Sequence, residues 1–198
     1  MRGSLVFFIG CLLLPAALGA QQEQTLFSGP MHHGGFGGPV VKFTQIASQS
    51  GVFVGGRGGW IINHSVVLGG GGYGLANPDD FTLIQNGTER RLGLGYGGLE
   101  VEYIHRWADV AHLTLGILVG AGGASWYDWR YQDGGSDDYT DAFFIAEPAA
   151  TLEVNLLHFF RLGIGGSYRF VDDVELPSLS DADLRGAAGS LTFKFGSF

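Results

Sequence analysis

The sequence predicts an all-β protein, a transmembrane antiparallel up-and-down barrel of about eight strands behind an N-terminal signal peptide. Two observations carry that prediction: apolar and polar residues alternate with period two through most of the chain, and the breaks between alternating segments are short and long by turns. A third excludes the helical alternative, because after residue 20 no run approaches the ~18 unbroken apolar residues that a transmembrane helix needs.

Residues 1–20 have the form of a secretory leader: Arg2 supplies positive charge, Leu5 to Leu14 an apolar core, and Leu18-Gly19-Ala20 small residues before Gln21. Residues 21–36 are expected as a flexible N-terminal segment and 37–198 as the barrel. Cys11 is the one cysteine and lies in that leader, so the chain beyond it has no disulfide framework, Cys-based metal site or thiol nucleophile. Phe8-Ile9-Gly10-Cys11 invites a lipoprotein reading, but the apolar core runs past it through Leu12, Leu13 and Leu14.

With 35 glycines, 13% aromatics and 15% charged residues, the composition is unusual, yet the interleaved Val, Ile, Leu and Phe are too many for a disordered chain. A net charge of −8 argues against a nucleic-acid partner, since phosphate binding needs a basic face.

Taken in order, strands are expected near Gly37 to Ala47, Gly51 to Ile62, Val66 to Ala76, Leu92 to Arg106, His112 to Trp129, Ala142 to Asn155, Phe159 to Val171 and Ala187 to Phe198. In the first, Val41 and Phe43 face away from Lys42 and Thr44; in the second, Val52, Val54, Trp60 and Ile62 face away from Arg57. The third is weakest on propensity because it carries Gly69 to Gly72. The fourth sets Leu99, Val101 and Tyr103 against Gly98, Glu100 and Glu102, and the fifth sets Leu113, Leu115, Ile117 and Val119 against Thr114, Gly116 and Gly120. Leu152 and Val154 alternate with Thr151, Glu153 and Asn155 in the sixth. The seventh places Phe160, Leu162, Ile164, Tyr168 and Phe170 opposite Arg161, Gly163, Gly165, Ser167 and Arg169, and the eighth places Leu191, Phe193 and Phe195 opposite Thr192, Lys194 and Gly196.

Asn63-His64-Ser65, Trp107 to Ala111 and Leu156-Leu157-His158 are tight connections, whereas Asn77 to Arg91, Arg130 to Asp141 and Asp172 to Gly186 are long. They alternate, as they must when short turns face the periplasm and long loops face outward. Only the outward connection at Ser48 to Ser50 is also short, and Asn86-Gly87 has the composition of a type I′ hairpin tip within the first long loop. Twelve of the nineteen acidic residues fall in the three long loops, so the net charge belongs to one rim.

The strand charges lie opposite the apolar face: Lys42, Arg57, Arg161, Arg169 and Lys194 against Glu100, Glu102, Glu147 and Glu153. Buried charges must be paired, and eight strands leave an interior just wide enough for side chains to fill. The expectation is a lumen plugged by ion pairs interleaved with glycines. Trp60, Trp107, Phe159 and Phe198 near the turns, and Trp126, Trp129, Tyr131, Phe143 and Phe144 near the loops, are placed as two interfacial girdles.

The closing Leu191, Phe193, Phe195 and Phe198 resemble the C-terminal strand signal that the barrel-assembly machinery reads in outer-membrane proteins, with Phe198 out of phase with the other two phenylalanines. More broadly, GGFGGPVVKFTQI, VGGRGGWIINHS, GGGGYGL, LGYGGLEVEYI and GGSYRFV resemble a family of uncharacterised Gly-rich bacterial outer-membrane barrel proteins, over essentially the whole exported chain. That resemblance implies a location, a fold and contact with outer-membrane lipid, and supplies no catalytic residues.

Few residues carry candidate chemistry. His64, His112, His158 and His105 gather near one rim, where imidazoles bind a metal or titrate, or serve simply as turn residues of separate hairpins. His32-His33 is either a weak metal site or a polar tail, and Asp133 to Asp138 has oxygen ligands but not the spacing of a calcium loop. His64-Ser65 is a poor nucleophile and base pair, since neighbours on a strand point to opposite faces. Glu100 and Glu102 share a face as an acid/base pair would, but arginines nearby favour ion pairing. The glycine runs lack a phosphate-loop pattern. No cofactor is expected, and a monomer is. Three functions stay open: a non-enzymatic barrel with a structural or surface-interaction role, an outer-membrane hydrolase or acyltransferase, and a soluble periplasmic ligand carrier.

Overall fold

The computed structural model describes residues 31–85, 87–128, 130 and 139–198. The leader, residues 21–30 of the flexible segment, Asn86, Trp129, Tyr131 and the Asp133 to Asp138 run lie outside the described residues. Nine strands follow in order: β1 (His33–Ile46), β2 (Gln49–Ile62), β3 (Val66–Leu75), β4 (Thr82–Gln85), β5 (Thr88–His105), β6 (Ala111–Tyr127), β7 (Tyr139–Leu157), β8 (Phe160–Asp172) and β9 (Gly186–Ser197).

Eight of them close a ring. Each pairs antiparallel with the next, β3 passes over β4 to pair with β5, and β9 returns to β1 through Val41↔Leu191. Closure leaves no ring strand with an open edge, so the backbone groups of the wall find their partners in neighbouring strands, apart from local breaks such as the bulge at Asn155 to Leu157. β4 stands outside the ring: it extends the loop end of β5 as a hairpin, with Ile84 opposite Glu89 and Gly87 at φ +78° in its tip. The first long loop is therefore partly strand. β1 also begins earlier than expected, at His33, because Gly34 to Phe36 already pair with Ile61 to Gly59.

The loop-end turn between β1 and β2 has two residues, Ala47 and Ser48, both at positive φ, the hand that matches the strand twist. The glycine-rich β3 is an ordinary ring strand because its neighbours are also glycine-rich: Gly70 lies beside Gly58 on β2 and Gly71 beside Gly98 on β5. Several close backbone approaches require glycine outright. At Gly98↔Gly120, a Cβ added to Gly120 would sit 2.1 Å from the Gly97 carbonyl oxygen and 2.5 Å from the Gly98 Cα. Gly120→Ala should therefore cost about 1–3 kcal/mol by forcing β5 and β6 apart, read as a lowered urea midpoint of refolded protein. An unchanged midpoint would show that the two backbones do not meet there.

The outer face of the ring is apolar and bare. Leu99 is 77% exposed, and Val101, Ile117 and Leu68 stand side by side across three neighbouring strands through Leu68↔Val101↔Ile117. So continuous a belt far exceeds the few hundred Å² of apolar patch that a water-soluble surface carries, so the ring spans hydrocarbon.

The inside is stacked in three layers. At the loop end, Phe53, Leu92, Leu94, Trp126, Phe143 and Val171 form an apolar plug, covered by Leu176, Leu179 and Leu184 from the β8–β9 connection. That connection folds into the mouth: Trp126 Nε1 donates to the Pro177 carbonyl at 2.9 Å, Arg169 Nε to the Leu184 carbonyl at 2.7 Å, and Ala47 N to the Asp183 carbonyl at 3.0 Å. A second, smaller cluster at the turn end joins Phe36, Ile61, Val67 and Ile104 with Phe198. The charged layer lies between the two.

Three of the expected girdle residues are corrected by this arrangement. Trp126 and Phe143 point into the lumen, at 5% and 4% exposure, and Phe198 turns inward against Phe36, with ring centroids 6.5 Å apart. Along β5 the cause is visible: Leu92, Leu94 and Tyr96 share the parity of Glu100 and Glu102, so one inward face changes from apolar to charged partway down. Trp60, Trp107 and Phe159 at the turns and Phe144 at the loop end are exposed.

Candidate functional site

The charged layer is the most elaborate constellation in the molecule. Lys42 of β1 reaches across the lumen to Glu147 of β7, with Nζ 2.9 Å from Oε1 and 2.8 Å from Oε2. Glu147 also accepts from Tyr96 Oη at 2.8 Å and Ser167 Oγ at 2.6 Å, so both its oxygens are saturated. The Lys42 ammonium rests 3.6 Å from the centroid of the Tyr73 ring, and Tyr73 Oη donates to Glu100 at 3.1 Å. Arg57 then holds Glu100 and Glu102 together, each at 2.6 Å from Nη2. Lys194 joins Glu102, at 3.1 Å, to Glu153, and His112 Nε2 closes the series 3.5 Å from Glu153.

Seven of the nine charged residues named from the sequence thus belong to one chain: three cations against four carboxylates. Arg169 and Arg161 stand apart from it. Arg169 lies above, tied to the Leu184 carbonyl with its guanidinium 5.0 Å from the Phe53 ring centroid. Arg161 lies below, 3.9 Å over the Phe198 ring. Tyr73, Tyr96, Ser167 and His112 are members that charge counting alone missed; Tyr96 and Ser167 share the inward parity of charged residues on their own strands, whereas the strands of Tyr73 and His112 carry no charged residue that could have flagged them. The glycines between them are spacers. A Cβ on Gly71 would lie 2.8 Å from Glu100 Oε1, and one on Gly116 2.9 Å from Glu102 Cγ. The space left in this layer is about 40 Å³, room for only a few waters.

Chemically, such an arrangement fixes charge. Each carboxylate is already bound by a cation, Glu100 by Arg57 and Glu102 by Arg57 and Lys194. All six histidines lie toward the turn end of the ring, which leaves the loop end without an imidazole base.

Nor do those histidines converge. His112 is buried in the lumen, His105 and His158 are exposed, and the His64 ring stacks on Trp107 at 4.2 Å. His32 lies 5.4 Å from the His64 ring while His33 lies 5.3 Å from Trp60, so the adjacent pair goes to different neighbours. Burial first, then its neighbours His32 and Arg161, lower the His64 pKa. Among the described residues no three His, Cys, Asp or Glu side chains are placed to hold a metal ion. At the C-terminal strand, Phe195 faces outward at 47% exposure and stacks on Phe160, while Leu191 and Phe193 are half-buried.

No known protein family matches the chain, and no curated protein matches it either. Among solved structures it is similar to the neisserial surface protein A, NspA, with a TM-score of 0.55 at 13% identity over 85% of this chain and 99% of that one. It is also similar to the N-terminal β-barrel domain of Pseudomonas aeruginosa OprF, with a TM-score of 0.46 at 10% identity over 81% and 96% of the two chains. A third similarity is to Ail, the attachment invasion locus protein of Yersinia pestis, with a TM-score of 0.46 at 12% identity over 83% and 95%. At these identities the likeness is one of fold.

Proposed function

We propose that the protein is a non-enzymatic barrel of the bacterial outer membrane, closed to solutes along its axis, with a structural or surface-interaction role carried by its acidic loop end. The carrying observation is the three-layered lumen: the Lys42 to His112 chain is capped by apolar clusters at both ends, and the β8–β9 connection is drawn into the loop-end mouth. Ions crossing such a lumen would have to break several buried pairs at once.

Supporting the location are the bare apolar belt outside and the leader-like residues 1–20, and the alternation of short and long connections favours turns in the periplasm and loops outside. Asp79, Asp80, Asp172, Asp173 and Glu175 are among the carboxylates that this orientation presents to the exterior. The belt disfavours a soluble periplasmic carrier, whose surface would be polar. For lipid- or peptide-modifying activity, the placement of the histidines offers nothing at the loop rim.

Reconstituted in planar bilayers, the full chain should show no large steady channels, and unheated protein should run apart from boiled protein on gels of membrane fractions. Sustained conductance would overturn the closed lumen. Recovery in the soluble fraction would overturn the membrane reading.

A further inference from the structure

The turn-end mouth holds a cation that the ion-pair chain does not use. Arg161 enters β8 facing inward and is only 5% exposed, yet it makes no hydrogen bond or ion pair with any described residue. Its guanidinium carbon lies over the Phe198 ring, 3.9 Å from the centroid. The carboxylate within electrostatic range, Glu153, is already taken by Lys194 and His112. A buried guanidinium with unused donors is costly, and it recovers that cost when an anion docks on it.

The surroundings fit such a ligand. Arg161 lines a cleft of about 500 Å³ together with Trp107, Asn155, Leu157, His158 and Phe198. Its walls are braced before anything binds. Asn155 Nδ2 donates to the Asp109 carbonyl at 2.8 Å and, longer, to the Trp107 carbonyl at 3.4 Å, tying the β7 end to the β5–β6 turn. The His64 ring stacks on the Trp107 indole, with ring centroids 4.2 Å apart. Asp109, the one carboxylate on the short turns, is neutralised by Arg106 at 2.8 Å. The cleft therefore combines one cation without a hydrogen-bond partner, aromatic and aliphatic walls, and no competing unpaired side-chain carboxylate among the described residues.

We propose that this mouth binds an oxyanion carried on an apolar body, the carboxylate of an N-acylated amino acid or peptide end being the best fit. The planar guanidinium would take the carboxylate in a two-pronged contact, and the attached side chain would lie between Trp107 and Phe198. The site faces the side to which the short turns point, so its ligand comes from there and not from the loop end.

Calorimetric titration of the detergent-folded full chain tests it with N-acetylphenylalanine, its uncharged amide and inorganic phosphate. The acid should bind at least about tenfold more tightly than the amide, which lacks the charge-assisted bond, and more tightly than phosphate, which lacks the apolar body. Arg161→Gln should lower affinity for the acid by about tenfold or more, and Arg161→Lys should recover only part, because a point charge does not reproduce the fork. Should the Arg161 variants fail to fold, Trp107→Leu on the exposed turn serves instead: it should weaken the acid several-fold and leave phosphate unchanged. Equal affinity for acid and amide, phosphate binding without acid binding, no binding of any probe, or unaltered binding after either Arg161→Gln or Trp107→Leu would overturn the proposal.

Discussion

Glu147→Ala is expected to destabilise the folded barrel by about 3–5 kcal/mol, because it leaves the Lys42 ammonium, in a lumen with room for only a few waters, with Tyr96 as its one hydrogen-bond partner and the Tyr73 ring beneath it. Two further losses add to it: Tyr96 Oη and Ser167 Oγ both lose their acceptor. The cost comes from stranding a charge and not from the pair's own worth, so Lys42→Met combined with Glu147→Gln should recover most of it, the amide oxygen accepting from one hydroxyl and the amide nitrogen donating to the other. Urea-induced unfolding of protein folded into vesicles gives both numbers. A loss below about 1 kcal/mol for Glu147→Ala would mean that water reaches Lys42 freely, and the three-layered reading of the lumen would then fail.

On the opposite face of the wall, Ile117→Arg should cost about 2–4 kcal/mol, the penalty for a cation held near the middle of the hydrocarbon. Ile117 is 43% exposed and flanked by Val101 on β5 and Pro148 on β7, neither of which could receive a cation. Val110→Arg is the control: Val110 is 71% exposed on the β5–β6 turn, where the interface tolerates charge, and the change should fall within about 1 kcal/mol. Comparable small effects at both positions would show that the apolar belt does not meet lipid. Comparable large effects would place the turn itself in the hydrocarbon.

These two substitutions sit on faces of the same sheet, and the sequence distinguishes the faces well. Period two requires only that a residue and its second neighbour share a side, so Leu99 and Val101 outside and Glu100 and Glu102 inside were legible without coordinates. The order of strands was equally legible, because antiparallel neighbours need only short connections and the turn signals recur. Alternation fails where both faces are apolar. Trp126 and Phe143 could be assigned to either side by composition, and they belong inside because loop-end residues Leu176, Leu179 and Leu184 fold down to meet them.

Which charge meets which was not written in the pattern either. Lys42 and Glu147 are 105 residues apart, and Arg57 and Glu102 lie on β2 and β5, which are not neighbours in the ring. Their pairing depends on ring closure, which sets side chains from non-adjacent strands within a few ångströms across the lumen. Arg161 makes the same point in reverse: its sequence neighbourhood resembles that of Arg169, yet one lies under the β8–β9 connection and the other at the opposite mouth against Phe198. The sequence by itself determined the eight ring strands, their order and the faces wherever apolar and polar residues alternate, because those follow from local periodicity and turn chemistry. Only the closed tertiary structure decided the partners of each buried charge and the plugs above and below them, because contacts across a lumen join residues that no local pattern relates.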